Sequence, residues 1–312
     1  MNASIPDVGG WFRTALDRSG PKRIVAWESS GQYGLASDDD AVADAAAALR
    51  GRRIAVLTGA GMSTASGLPD YRGPGAIPRS PMTYQEFTGN DLSRRRYWAR
   101  STVGWDAFTR ARPNRAHHLL AELAGVVDVA GVVTQNVDGL HQLAGSEPVV
   151  DLHGRLATAS CLDCGEVVDR VWLQDQFLRL NPGFASRLPT LAREAATAPD
   201  GDAEVDRTHR FRYVDCSCGG ILKPDVVYFG ENARPEVVAA AYELVNGAGA
   251  LLVLGTSLSV MSGLRFVRRA SKDAKPVVIM GDGPTRGDDL ATVRVHGRLH
   301  DLLQRLTEAL RH

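Results

Sequence analysis

What this chain of 312 residues has little of narrows it first. It has no excess of charge, because 36 basic residues meet 36 acidic ones. There is then no global field to hold nucleic acid or an anionic membrane, and neither is expected as a partner. No apolar run approaches the roughly 18 residues that would span a bilayer. The first residues, MNASIPDVGGWFRTALDRSGPKR, have no basic start leading into an apolar stretch and a small-residue cleavage site, and Asp7, Asp17, Gly and Pro interrupt any amphipathic presequence. This predicts a cytoplasmic protein. Cysteine is scarce: there are four, in the tight pairs Cys161/Cys164 and Cys216/Cys218. In a reducing compartment such pairs point to a metal rather than to disulfides. Repeats and low-complexity tracts are absent. What is present, 44% hydrophobic and 23% charged residues, suits a globular protein with one large domain and a smaller module.

The pattern along the chain predicts an α/β fold. Asp38–Arg50 reads as a helix, with acidic residues at its positive end and alanines through its body. Ile54–Thr58 is an apolar strand running into Gly59-Ala60-Gly61, and further apolar runs are Val126–Thr134, Val149–Leu152, Val226–Phe229, Ala250–Leu254 and Val277–Met280. Helical patterns over Asn114–Ala124, Glu236–Asn246 and Val260–Ala270 separate several of them. Strands without alternation, spaced by helices, belong to a parallel sheet covered on both faces, a doubly wound domain. Residues 38–71, 113–153 and 223–312 are assigned to it. Residues 72–112, with a short helix expected over Leu92–Arg100, and 154–222, with all four cysteines, read as insertions forming a small helical and metal-binding domain. Residues 1–37 are an N-terminal extension.

Three polar clusters fall at successive strand ends. Gly-Ala-Gly after a buried strand is either a phosphate cradle, its bare backbone approaching a pyrophosphate, or an ordinary tight turn. Thr64 stands where a G-x-G-x-x-G loop has its third glycine. No strand ending in an acid follows about 20 residues later, which disfavours a hydride-transferring dehydrogenase. Thr134-Gln135-Asn136-Val137-Asp138-Gly139-Leu140-His141 and Asp151-Leu152-His153-Gly154 are the other two. Any one of them alone could be a cap or a turn; strand carboxyl ends are also where open α/β sheets bind ligands.

GAGMS at Gly59–Ser63, GLPDYRG at Gly67–Gly73, TQNVDGLH at Thr134–His141, LHG at Leu152–Gly154, KPDVVYFGE at Lys223–Glu231 and GTSLSV at Gly255–Val260 resemble the sirtuin signature motifs, in sirtuin order. RYWARSTVGW (Arg96–Trp105) and GPTRGDD (Gly283–Asp289) are similar to the class II branch. The resemblance covers nearly everything from about Asp39 onward. It implies a Rossmann-like domain with a smaller zinc-binding domain inserted, and an NAD-dependent transfer of an acyl group from a protein lysine to ADP-ribose with release of nicotinamide. Acyl-lysine proteins or peptides are the implied partners. His153 takes the position of the general base, for which a neutral imidazole is suited, with Asn136 and Asp138 beside the reacting centre. Gly59, Ala60, Gly61, Thr64, Tyr71 and Arg72 would line the phosphate and ribose site. Asp70 and Asp138 would lie near the nicotinamide, Gln135 and Asn136 at the ribose and the reacting centre, Gly255, Thr256 and Ser257 at the phosphate and adenosine side, and Val137 would also contact NAD. Val227, Tyr228, Phe229 and Gly230 would form the acyl-lysine channel. Cys161, Cys164, Cys216 and Cys218 would hold one structural zinc ion.

Several positions depart from the family pattern. One residue, not two, separates Cys216 from Cys218, so the turn that presents them must differ. Gly281, followed by Asp282 and Gly283, stands where relatives carry an asparagine near the adenosine ribose. Leu299 stands where many place a cysteine beside the adenine, and Tyr71 replaces a phenylalanine. Tyr97 and Arg100, three apart on a helix, match the spacing of a Tyr-x-x-Arg pair that another sirtuin class uses for acidic acyl groups, or else belong to a solvated basic face after Arg94, Arg95 and Arg96. Two other outcomes are compatible with the motifs: protein ADP-ribosyl transfer, and a scaffold that binds NAD or zinc without turnover.

Overall fold

The computed structural model describes residues 39–70, 81–194 and 208–312. Its first elements are α1 (Asp39–Leu49), with Asp39 and Asp40 at its positive end, and β1 (Ile54–Thr58), buried throughout. Then come α2 (Tyr84–Gly89), α3 (Asp91–Arg110), α4 (Arg115–Leu123), β2 (Val129–Thr134), α5 (Leu140–Leu143) and β3 (Val149–Asp151). The middle of the chain forms β4 (Gly154–Cys161), β5 (Val167–Asp169), α6 (Arg170–Leu180), α7 (Pro182–Ala185), α8 (Leu188–Glu194) and β6 (Leu222–Val226). The last third alternates: α9 (Pro235–Gly247), β7 (Ala250–Leu254), α10 (Met261–Lys272), β8 (Val277–Met280), β9 (Val293–Val295) and α11 (Leu299–Arg311).

Six strands form one parallel sheet in the order β3-β2-β1-β7-β8-β9. Both faces are covered, which is why the strands do not alternate. Ile54 and Val56 of β1 pack with α1, α4 and α11 on one face, whereas Ala55 and Leu57 pack with α9 and α10 on the other. The strand order reverses between β1 and β7. The crevice beyond their carboxyl ends is the topological switch point, where folds of this kind take ligands. Among the described residues, no helix is long and apolar enough to cross a membrane.

A second sheet, β5-β4-β6, is antiparallel. It packs with α2, α3 and α6 around Phe87, Tyr97, Trp98, Leu173 and Phe177. The strand expected over Val226–Phe229 is therefore shifted: the paired residues are Leu222–Val226, and their partner is β4 rather than the parallel sheet. The glycine of the Leu152-His153-Gly154 cluster makes this pairing possible. Gly154 has φ +78°, and a Cβ there would lie 1.8 Å from the Asp225 carbonyl oxygen. The short helix expected over Leu92–Arg100 is also longer, 20 residues, because Asn90 caps Leu92 and Ser93 and the helix runs on until Ala111 leaves the helical region. The polar stretch Ala195–Thr208 lies outside the described residues apart from Thr208.

Candidate active site

The site is built from loops at the carboxyl ends of β1, β2, β3 and β7. The loops after β1 and β7 meet backbone to backbone. Gly61 N–H donates to the Gly255 carbonyl at 2.8 Å, and a Cβ on Gly61 would stand 2.8 Å from that same oxygen. Gly255 has φ +58°, and a Cβ there would lie 2.7 Å from Met62 N. Only glycine fits at either position. The result is a bare main-chain cradle at the switch point, the kind of surface a dinucleotide phosphate requires. Leu299, at the start of α11, closes one side: its side chain is the apolar neighbour of both Gly255 and Gly281.

Behind this cradle the loop after β2 carries a directed hydrogen-bond chain. Asn136 Nδ2 donates to Ser63 Oγ at 3.0 Å, and Ser63 Oγ donates to Asp138 Oδ2 at 2.6 Å. Asp138 Oδ1 accepts from Leu140 N–H. Burial pushes the Asp138 carboxyl above its usual range, against the opposing effect of the Ser63 and Leu140 bonds. Gln135 turns its side chain toward β7, where Oε1 accepts from Thr256 Oγ1 at 2.7 Å. Under these groups, Thr134 Oγ1 accepts from Asn136 N–H and from Thr58 Oγ1, and Thr58 Oγ1 also bonds His141 Nε2.

His153 leaves the end of β3 with both ring nitrogens engaged: Nδ1 lies 3.0 Å from the Gln135 carbonyl oxygen and Nε2 lies 2.8 Å from Ser262 Oγ. A carbonyl can only accept, so Nδ1 carries the proton and Nε2 presents a lone pair. Burial lowers the His153 pKa, the Gln135 bond opposes this, and the Arg265 charge adds to the lowering. The imidazole is neutral, with its lone pair on Nε2.

The remaining expected residues take varied places. Val227 N–H donates to the His153 carbonyl, and Phe229 O accepts from Tyr84 N–H, so Val227–Gly230 runs between His153 and α2. Lys223 ties this segment down, donating to the Pro224 and Val226 carbonyls and pairing with Glu231 at 3.3 Å, while Glu231 accepts from Tyr228 N–H. Tyr97 is buried and packs edge-on against Tyr228, ring centroids 5.4 Å apart. Arg100, one turn on, is half-buried. Arg94 and Arg95 are not a solvated basic face: they bond Tyr213, the Phe87 and Thr88 carbonyls, Asp91 and the Phe211 carbonyl. Thr64 is exposed, Ser257 bonds Ser259, and Asp70 is half-buried. Tyr71 and Arg72 lie outside the described residues.

Gly281, Asp282 and Gly283 form the loop after β8. It is held by Arg294, whose Nη2 donates to the Gly281 and Gly283 carbonyls, Nη1 to those of Ile279 and Val295, and Nε to Asp288. Sequence reasoning missed Arg294 and Ser262, which carry no local signal. Ser63 was visible as the last residue of Gly59-Ala60-Gly61-Met62-Ser63, but only the fold sets it between Asn136 and Asp138.

The four cysteines converge despite the short second spacing. All four Sγ atoms lie within 4.8 Å of one another, with Cys161 to Cys218 and Cys164 to Cys216 at 3.6 Å. A tetrahedron built on zinc–sulfur bonds of about 2.3 Å has edges of about 3.8 Å, so the set fits a closed zinc site. Glu166 accepts from Cys216 and Ser217 beside it.

A model of the Sir2 family matches residues 59–262. The chain belongs to the Sir2 family. This sirtuin is 52% identical over 265 residues to NAD-dependent protein deacetylase 1 of Mycobacterium avium (strain 104), covering 85% of this chain and 94% of the relative. It is 52% identical over 259 residues to NAD-dependent protein deacetylase 1 of Streptomyces coelicolor, covering 81% and 85%. A solved Sir2 in complex with a p53 peptide and NAD+ superposes with a TM-score of 0.63 at 28% identity, covering 83% of the sirtuin and 93% of that chain.

Proposed function

We propose that this sirtuin removes acyl groups from protein lysine side chains, using NAD as co-substrate, with nicotinamide and O-acyl-ADP-ribose as products. The observation that carries this reading is His153, fixed by Gln135 as a neutral base with its lone pair on Nε2, beside the Asn136–Ser63–Asp138 chain at the switch-point crevice. NAD supplies, when bound, the ADP-ribosyl acceptor and the nicotinamide leaving group. The Gly59–Gly61 and Gly255–Ser257 backbones would bind its phosphates, and the Gly281–Gly283 loop and Leu299 would border the adenosine. Asp138 would accept from the carboxamide of the nicotinamide, and the Asn136 and Gln135 amides would orient the ribose. His153 Nε2 takes up the proton of a substrate hydroxyl. Val227–Gly230 receives the acyl-lysine, its backbone available to an extended peptide. The names of the two deacetylases and the peptide-and-NAD+ complex support the assignment.

The class II placement rests on Arg96–Trp105 and Gly283–Asp289. The division into a sheet domain and a small zinc-binding domain, and a cytoplasmic location, belong to the same proposal. Nicotinamide release measured with and without acyl-peptide tests the function. Release that depends on acyl-peptide, with O-acyl-ADP-ribose formed, is expected. Release accompanied by ADP-ribose on protein would assign a transferase, and no release would assign a scaffold.

A further inference from the structure

Ser262 is the second residue of α10, half-buried, and its hydroxyl lies 2.8 Å from His153 Nε2. The direction of that bond is fixed by the other side of the ring. Nδ1 must donate to the Gln135 carbonyl, so Nε2 can only accept, and Ser262 Oγ–H is the donor. The next residue explains why α10 comes so close. Gly263 is buried against the Gln135 side chain, and a Cβ there would stand 2.8 Å from Gln135 Nε2 and 2.9 Å from its Cδ. The first turn of α10 therefore acts on the imidazole at both ends. Gly263 lets Gln135 sit where its carbonyl accepts from Nδ1–H, and Ser262 meets the opposite nitrogen.

We propose that Ser262 is a positioning residue for His153: its hydroxyl fixes the plane of the imidazole and caps the Nε2 lone pair until a substrate hydroxyl takes its place. This rests on the reading of His153 as the base. An imidazole held by Nδ1 alone can rotate about its single hydrogen bond, and each rotamer that turns Nε2 away is lost to proton transfer. A second bond on Nε2 removes that freedom, which is how a partner on one nitrogen tunes a reaction at the other.

The test begins without NAD. In protein with 15N-labelled histidine rings, wild-type His153 should show a protonated Nδ1 and an Nε2 acceptor shifted by hydrogen bonding. Ser262→Ala should move the Nε2 signal to that of an unbonded lone pair while Nδ1 stays protonated, and Ser262→Thr, which keeps the hydroxyl, should restore it. In turnover, Ser262→Ala should lower kcat by roughly tenfold with KM for acyl-peptide changed less than about twofold, as expected for lost orientation in the transition state, and Ser262→Thr should recover most of it. An Nε2 signal that does not move in Ser262→Ala, or an unchanged kcat despite the movement, overturns the proposal. If His153→Ala retained turnover, the base reading would fail instead, and the signal movement in Ser262→Ala would still report the contact by itself.

Discussion

The imidazole of His141 lies against that of His117, ring centroids 4.9 Å apart and planes inclined at 60°. His117 Nδ1 accepts from Asn114 N–H at 3.4 Å, which leaves the proton on Nε2. Thr58 spends its hydroxyl hydrogen on Thr134, so His141 must donate to Thr58 from Nε2 and keeps a lone pair on Nδ1. The two nitrogens without a partner, His117 Nε2 and His141 Nδ1, are therefore a donor and an acceptor. Both rings are buried and neutral, and their arrangement ends at the backbone N–H of Asn136.

This pair predicts an acid-sensitive fold. Burial first, then the charge of His118, lowers the His117 pKa to about 4, and burial first, then the charge of His117, lowers the His141 pKa to about 3. The unfolded chain takes up protons near pH 6.5, whereas the folded one does not until those lower values. Stability present above about pH 6.5 is lost as the pH falls toward about 4 and about 3, by up to about 1.4 kcal/mol per pH unit for each histidine. Urea unfolding across that window should show the slope, and His141→Asn should reduce it. An equal slope in the variant would assign the acid sensitivity to other groups.

His153→Ala should keep the fold and NAD binding, measured by circular dichroism and calorimetry, and lose deacylation of acyl-peptide. Because burial depresses the His153 pKa, the acidic limb of kcat/KM should have its midpoint below the ordinary histidine value. A limb centred above about pH 6.5 would contradict a buried neutral base.

Metal analysis should find one zinc ion per chain. Removing it with a chelator, or substituting Cys164→Ala, should loosen the β5-β4-β6 sheet first, since Cys161 ends β4 and Cys164 follows in the next turn. A drop in Tm of roughly 5 °C or more corresponds to the loss of a few kcal/mol in a chain of this size. Stoichiometric zinc in folded Cys216→Ala would remove that cysteine from the site.

Arg294→Ala should free the Gly281–Gly283 loop, whose carbonyls depend on that guanidinium. NAD affinity, read by calorimetry, should weaken about tenfold, or roughly 1.4 kcal/mol, with zinc content unchanged. Wild-type affinity in a folded Arg294→Ala would mean the loop holds its shape without the side chain.

By itself the sequence determined the parallel sheet, because apolar runs such as Ile54–Thr58 and Ala250–Leu254 can be satisfied only where both faces are covered. It marked half of the cradle, since Gly59-Ala60-Gly61 after a buried strand is a phosphate loop or a tight turn; only the fold sets Gly255 against Gly61, in a contact that admits no Cβ. The cysteine pairs announced a metal through ligand chemistry alone. Tertiary structure decided the rest. The run Val226–Phe229 is apolar in either sheet, so its residues could not say that the pairing strand starts at Leu222 and joins β4. Tyr97 and Arg100 share a helix face by spacing, yet only packing of α3 on Phe87 and Tyr228 buries the tyrosine. Ser262 and His153 are 109 residues apart, and Arg294 and Gly281 are 13 apart across two strands. Such contacts have no period and no local propensity to betray them, because a hydrogen bond between distant residues exists only once the backbone has brought its donor and acceptor together.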